Sequence, residues 1–217
     1  AIHASAGNYN SMDKVIESPL FEQGWRVYLA EAIKQVVQIP VVAVGNIREP
    51  KYVDSIIEDG KADFVAMGRA HIADPEWSKK AFEGRENEIR KCISCLHCTY
   101  TSPLECSINV RAGHELEYTD LEKINEKRHV VIVGGGPGGV EAARVLSLRG
   151  YDVSLFEKTN QLGGQLRLVS DPVYKKKMNW HCEYMTHEME RLGVNVYLQT
   201  EATAEKICLG KFLSELG

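Results

Sequence analysis

Four cysteines fall within the sixteen residues CISCLHCTYTSPLECS (92–107). Cys92, Cys95 and Cys98 are each separated by two residues, and Cys106 lies eight positions beyond the third. Three thiolates at this spacing can wrap three corners of an iron–sulfur cubane, and a remote fourth closes it. Zinc also accepts four thiolates, but structural zinc usually draws them from two separated pairs. The spacing therefore favours a [4Fe–4S] cluster, with zinc or no metal as the alternatives. His97 lies inside the array and reads as a bystander, because four cysteines already complete a ligand set. Cys182 and Cys208 stand alone and read as buried or indifferent thiols.

A second constellation lies in VVIVGGGPGG (130–139), which places Gly134, Gly136 and Gly139 in the order G-x-G-x-x-G. Alone that pattern is weak. Here it follows an apolar strand and opens a helix, and the next strand, VSLFE, ends in Glu157, about 20 residues on, as a dinucleotide fingerprint requires. Gly134 permits the tight turn, Gly136 lets backbone approach a pyrophosphate, and Gly139 lets helix and strand pack closely. The pyrophosphate would face free N–H groups at a helix N-terminus, and Glu157 would accept hydrogen bonds from a ribose hydroxyl. Incidental glycines in a strand–turn–helix are the plainer alternative.

The elements that position these groups form three segments. Residues 1–82 alternate helical patterns (29–37 and 49–60) with short apolar runs that end in glycine (39–47 and 62–70). Helix, strand, helix, strand implies parallel pairing through crossovers. Residues 83–126 open with the charged run EGRENEIRK, carry the cysteines and close on EYTDLEKINEKR. Their apolar periodicity is poor, so a bound metal would supply organisation that the core does not. Residues 127–217 read strand, glycine loop, helix, turn at Gly150, strand. No internal repeat or low-complexity tract is visible.

The chain has 217 residues, 44% hydrophobic and 26% charged, a balance that suits globular domains. A net charge of −4 offers no basic surface for nucleic acid. No apolar run approaches the roughly 20 residues that span a bilayer, and AIHASAGNYN lacks the layout of a signal peptide. These features point to a cytoplasmic protein with neither nucleic-acid nor membrane partners. A reducing compartment favours metal ligation over disulfides for clustered cysteines.

The order of motifs resembles a known family. VVAVGNI (41–47), FVAMGRAHIADPEW (64–77), CISCLHC (92–98), CSINVRAGHE (106–115), VVIVGGGPGG (130–139) and LGGQL (162–166) are similar to segments of the iron–sulfur flavoenzymes. That family includes 2,4-dienoyl-CoA reductase, the clostridial enoate reductases, the bile-acid-inducible NADH:flavin oxidoreductases and trimethylamine dehydrogenase. The resemblance implies an α/β fold comprising the C-terminal part of a (β/α)8 FMN barrel, a cysteine-rich iron–sulfur segment and the start of a Rossmann-like FAD domain. It implies FMN phosphate binding at Gly45-Asn46 and Gly68-Arg69, the loops after barrel strands seven and eight, with Arg69 on the phosphate or the isoalloxazine edge. Glycine-rich loops after those strands hold phosphate in barrels generally. It also implies FAD rather than NAD at the 134–139 loop, with Glu157, Lys158, Gly164 and Gln165 as further contacts.

The function so implied is NAD(P)H-dependent reduction of an activated C=C bond in an unsaturated acyl substrate. Electrons would pass from NAD(P)H to FAD, to the cluster, to FMN and to the substrate. An amine dehydrogenase of the trimethylamine dehydrogenase type is the alternative within the family, and a zinc-stapled nucleotide-binding interaction module is the non-enzymatic one. A homo-oligomer is compatible with either enzyme. Two departures qualify the resemblance. A (β/α)8 barrel needs about 200 residues or more, so strands one to five and the catalytic acid are expected outside this chain. The closing KFLSELG does not resemble the next apolar strand, so the chain reads as an internal fragment, inactive by itself.

Overall fold

A computed structural model describes residues 1–118, 121–170 and 175–208. It divides into two compact units, Ala1–Glu117 and Tyr118–Gly217. Both are α/β with parallel sheets. Among the described residues no helix is long and apolar enough to cross a membrane. The closing KFLSELG lies outside the described residues.

The first unit runs β1 (Ile2–Ala4), α1 (Met12–Val15), α2 (Val27–Lys34), β2 (Val41–Val44), α3 (Pro50–Glu58), β3 (Phe64–Ala66), α4 (Arg69–Ala73) and α5 (Trp77–Phe82). Two 3-10 turns follow, at Glu86–Glu88 and His97–Thr99. The strands pair in the order β1-β2-β3, with Ala4 beside Ala43 and Ala43 beside Val65. β1 has no counterpart in the sequence reading, because three residues are too few to show a period. Val41 and Ala43 of β2 are fully buried, and Val27 and Ala30 of α2 and Ile56 of α3 join them in one core. Each large aliphatic side chain buried this way stabilises the fold by about 1.5–3 kcal/mol. α3 begins cleanly because Pro50 sits at its first position, where a backbone N–H would have no helical partner. All three strands run the same way, so Gly45-Asn46 and Gly68-Arg69 leave the sheet at the same edge.

The cysteine stretch belongs to this unit and is pinned to it by polar groups. Asp74, at the end of α4, accepts the Arg90 N–H at 2.9 Å and the Lys80 ammonium at 2.7 Å. The Asn109 amide donates to the Ile72 carbonyl at 2.8 Å. These contacts fix the chain before and after the thiols. Ile89, Ile93 and Ala112 add a small buried apolar contribution.

The second unit runs β4 (His129–Val133), α6 (Pro137–Leu148), β5 (Asp152–Phe156), α7 (Gln165–Val169), α8 (Met178–Arg191), β6 (Asn195–Tyr197) and α9 (Ala204–Cys208). The sheet order is β4-β5-β6, all parallel, with Val133 beside Phe156 and Phe156 beside Tyr197. Central β5 is buried from Val153 to Phe156, as expected for a parallel strand covered on both faces. Val140 and Ala143 of α6 and Cys182, Met185 and Met189 of α8 complete the core.

Candidate functional site

A cavity of about 290 Å3 opens in the first unit where β2 and β3 end. Gly45 and Gly68 line it as the barrel resemblance implies. Gly45 has φ +133, and a Cβ there would lie 2.5 Å from Arg26 Nε, so the position requires glycine. Gly68 is different: nothing lies within 4 Å of where its Cβ would be. Backbone is therefore open to a ligand at Gly68.

The wall carries charges that the sequence did not advertise. Glu17 is 2% exposed and bridges two guanidiniums, with Oε1 3.0 Å from Arg26 Nη2 and Oε2 2.5 Å from Arg69 Nη2. Arg69 also donates to the Glu17 carbonyl at 2.7 Å. Arg26 is held by the carbonyls of Val44 at 3.0 Å and Lys14 at 2.9 Å. Arg48 lines the same cavity, and burial holds its pKa below the usual value against the opposing pull of Cys92. Three guanidiniums against one carboxylate leave an excess of positive charge that suits a phosphate. Asn46, expected at the ligand, adopts φ +57 and spends its side chain on the protein. Its amide donates to Phe21 O at 2.8 Å, and its Oδ1 accepts from Ser94 Oγ at 3.0 Å and from Arg48.

The thiols share one neighbourhood. Cys92 lines the cavity itself. Burial pushes the Cys98 thiol up, and Cys92, Cys106 and Cys95 push it further. Burial also raises Cys106, against the opposing effect of the nearby backbone at Ile108 and Asn109. The Ser94 N–H donates to Cys92 Sγ at 3.4 Å, and Cys95 Sγ donates to Ser107 Oγ at 3.4 Å. Ser94 and Leu96 adopt φ +55 and +64, left-handed turns that wind the loop between successive cysteines. All four cysteines are free, and among the described residues no three His, Cys, Asp or Glu side chains form a group able to hold a metal ion. His97 pairs with Glu105 at 3.3 Å instead of joining the thiols.

In the second unit the glycine loop and the 162–166 stretch come together. Gly134 has φ +99, and a Cβ on Gly139 would lie 2.0 Å from the Gly134 carbonyl oxygen. Both therefore require glycine, for the turn and for helix packing. Gly136, the cap of α6, faces open space. The Gly163 N–H donates to the Gly135 carbonyl at 2.8 Å, and a Cβ on Gly164 would meet Gly136 Cα at 3.1 Å. Glu157 is buried and accepts the N–H of Gly135 at 2.7 Å and of Thr159 at 2.8 Å. Burial alone would raise its carboxyl, but the Thr159 and Gly135 donors outweigh it and hold the pKa below the usual value. Lys158 and Gln165 are exposed beside this loop. Cys182 is buried in the core.

A parallel flavin-barrel segment with a thiol array in one unit, and a Rossmann-like dinucleotide fold in the other, define the class. Residues 7–88 match the NADH:flavin oxidoreductase / NADH oxidase family, and residues 132–196 match the NAD(P)-binding Rossmann-like domain. The chain is 50% identical over 212 residues to the NADH oxidase of Thermoanaerobacter brockii, covering 95% of this chain and 33% of that protein. It is similar to the solved structure of a 2-naphthoyl-CoA reductase with 2-naphthoyl-CoA, at TM-score 0.84 and 29% identity over 88% of this chain and 30% of that one. It is also similar to histamine dehydrogenase from Rhizobium sp. 4-9, at TM-score 0.85 and 30% identity over 94% and 31%. The chain thus spans about a third of the length of these relatives. Glu17, Arg26, Arg48 and Ser94 escaped the sequence reading; only Arg48, three residues past Gly45 in a strand-end loop, carried a local signal.

Proposed function

We propose that this chain is the flavin-phosphate, cluster and FAD-pyrophosphate portion of an NAD(P)H-dependent iron–sulfur flavoprotein that reduces activated C=C bonds of enoate or enoyl-CoA-type substrates. The carrying observation is that Cys92 stands in the wall of the cavity that Gly45, Gly68 and Arg69 line. A one-electron carrier is thereby set against a flavin pocket. When bound, FAD supplies hydride acceptance from NAD(P)H, the cluster a one-electron relay and FMN hydride delivery to substrate.

The residues divide the work. The open backbone at Gly68 and the Arg69 guanidinium bind the FMN phosphate, while Arg26 and Arg48, committed to protein acceptors, add positive charge around it. Cys92, Cys95, Cys98 and Cys106 hold the [4Fe–4S] cluster, with the Ser94 N–H already donating to the sulfur of Cys92. A tetrahedral zinc would draw all four sulfurs to within about 3.8 Å of one another, given bonds near 2.3 Å. Three closely spaced cysteines and a remote fourth instead suit a larger cubane. Gly134, Gly136 and Gly139 take the FAD pyrophosphate, Gly164 and Gln165 cover it, Lys158 flanks it, and Glu157 accepts from the ribose. The thiol array supports the cytoplasmic, reducing setting inferred from the sequence. The similarity to histamine dehydrogenase favours a second reading, amine oxidation at the same cofactors.

Anaerobic purification of the complete protein tests both. Close to four irons and four sulfides per chain, with FMN and FAD, are expected, as is NAD(P)H-dependent reduction of an enoate. Stoichiometric zinc without sulfide would sink the cluster assignment. Turnover of amines without NAD(P)H would select the second reading.

A further inference from the structure

Arg48 reaches from the loop after β2 into the cysteine loop. Its side chain belongs to a residue only 2% exposed. Nη1 donates to the Asn46 carbonyl at 2.9 Å, and Nη2 donates to both Asn46 Oδ1 and Ser94 Oγ. Arg48 and Cys92 both line the cavity at the ends of β2 and β3. Ser94, 0% exposed, closes the ring by donating Oγ to Asn46 Oδ1 and its N–H to Cys92 Sγ. Trp77 fixes the Arg48 backbone by donating its indole N–H to the Arg48 carbonyl at 2.7 Å. One buried cation thus ties the loop after β2 to Ser94, whose N–H donates to the first thiol of the array. Lysine could not reproduce this, since it lacks the planar fork that bonds several acceptors in fixed directions.

We propose that Arg48 is a positioning residue that raises the one-electron reduction potential of the cluster through Cys92. The inference rests on the cluster reading given above. Reduction adds one electron to the cluster and breaks or makes no bond. The added negative charge is stabilised by a fixed buried cation and by a donor on the ligating sulfur more than the oxidised state is. Little solvent screens the pair, so the effect persists at ordinary salt. A merely structural pin between the two loops would instead leave the potential unchanged in any variant that still holds its iron.

The test is a dithionite titration of the cluster-loaded, complete protein, followed by electron paramagnetic resonance. R48Q should shift the reduction equilibrium at least tenfold toward the oxidised cluster, 59 mV for one electron. R48K, which keeps charge but not the fork, should shift it about threefold. Iron and sulfide are assayed first, and a wild-type protein lacking them would fail the cluster reading, not this inference. Iron-loaded R48Q with a wild-type potential overturns the proposal. Should R48Q lose its iron, a wild-type potential in R48K overturns it. If neither variant holds iron, Arg48 is an anchor only and the proposal falls.

Discussion

The two glycine-bearing strand-end loops of this protein are built in opposite ways. In the second unit, the loop from Gly134 to Gly139 is almost pure backbone, closed by one carboxylate, Glu157, that accepts from Gly135 and Thr159. In the first unit, the loops at Gly45 and Gly68 are framed by Glu17, Arg26, Arg48 and Arg69, drawn from remote parts of the chain. A backbone site needs particular torsion angles at neighbouring positions, and only glycine supplies some of them. A charge-framed site needs paired ions brought out of water together, whatever their separation in sequence.

Removing the central carboxylate should sharpen this contrast most. E17Q leaves buried Arg26 and partly buried Arg69 without their shared partner, and breaking a buried ion pair costs about 3–5 kcal/mol. Denaturant unfolding of the variant measures it; a midpoint equal to wild type would mean that the charges frame nothing. The glycines of the second unit give the next effect, and they should separate folding from binding. In G139A the new methyl meets a backbone oxygen, for which overpacking costs of about 1–3 kcal/mol apply. G136V places its side chain in open space from a backbone at φ −74 and ψ 177 that any residue adopts. Its thermal stability should stay within about 0.5 kcal/mol of wild type, while FAD content falls and FMN and iron remain. Full FAD occupancy in G136V would break the assignment.

The smallest effect is a pH dependence. The folded Glu157 carboxyl lies below its unfolded value, so its stabilisation is complete above the unfolded pKa of about 4.3 and is lost as pH falls through the folded pKa. The stability gap between wild type and E157Q should therefore be present at neutral pH and narrow under acid. A gap that widened in acid would show that the Gly135 and Thr159 contacts do not favour the ionised form.

The glycine loop, its following helix and Glu157 were legible as sequence because strand, turn, helix and acid follow one another without interruption. The thiol array was legible for the same reason. β1 was not, since Ile2–Ala4 is too short to reveal a strand before β2 supplies its partner. The Asn46 side chain turns inward, toward Phe21, Ser94 and Arg48. Spacing could place that residue in a phosphate loop but could not say what its side chain would meet.

The sequence by itself determined that Gly134 and Gly139 had to be glycine, that four cysteines cluster within sixteen residues and that β2 and β3 pair in parallel. Those properties depend on backbone torsion and on neighbours a few residues away. Only the tertiary structure decided that Glu17 joins Arg26 to Arg69, and that Arg48 joins the loop after β2 to Ser94 in the cysteine loop. Those contacts exist because parallel strands deliver distant loops to one edge of a sheet. There the buried charges, once out of water, are stable only in one another's company.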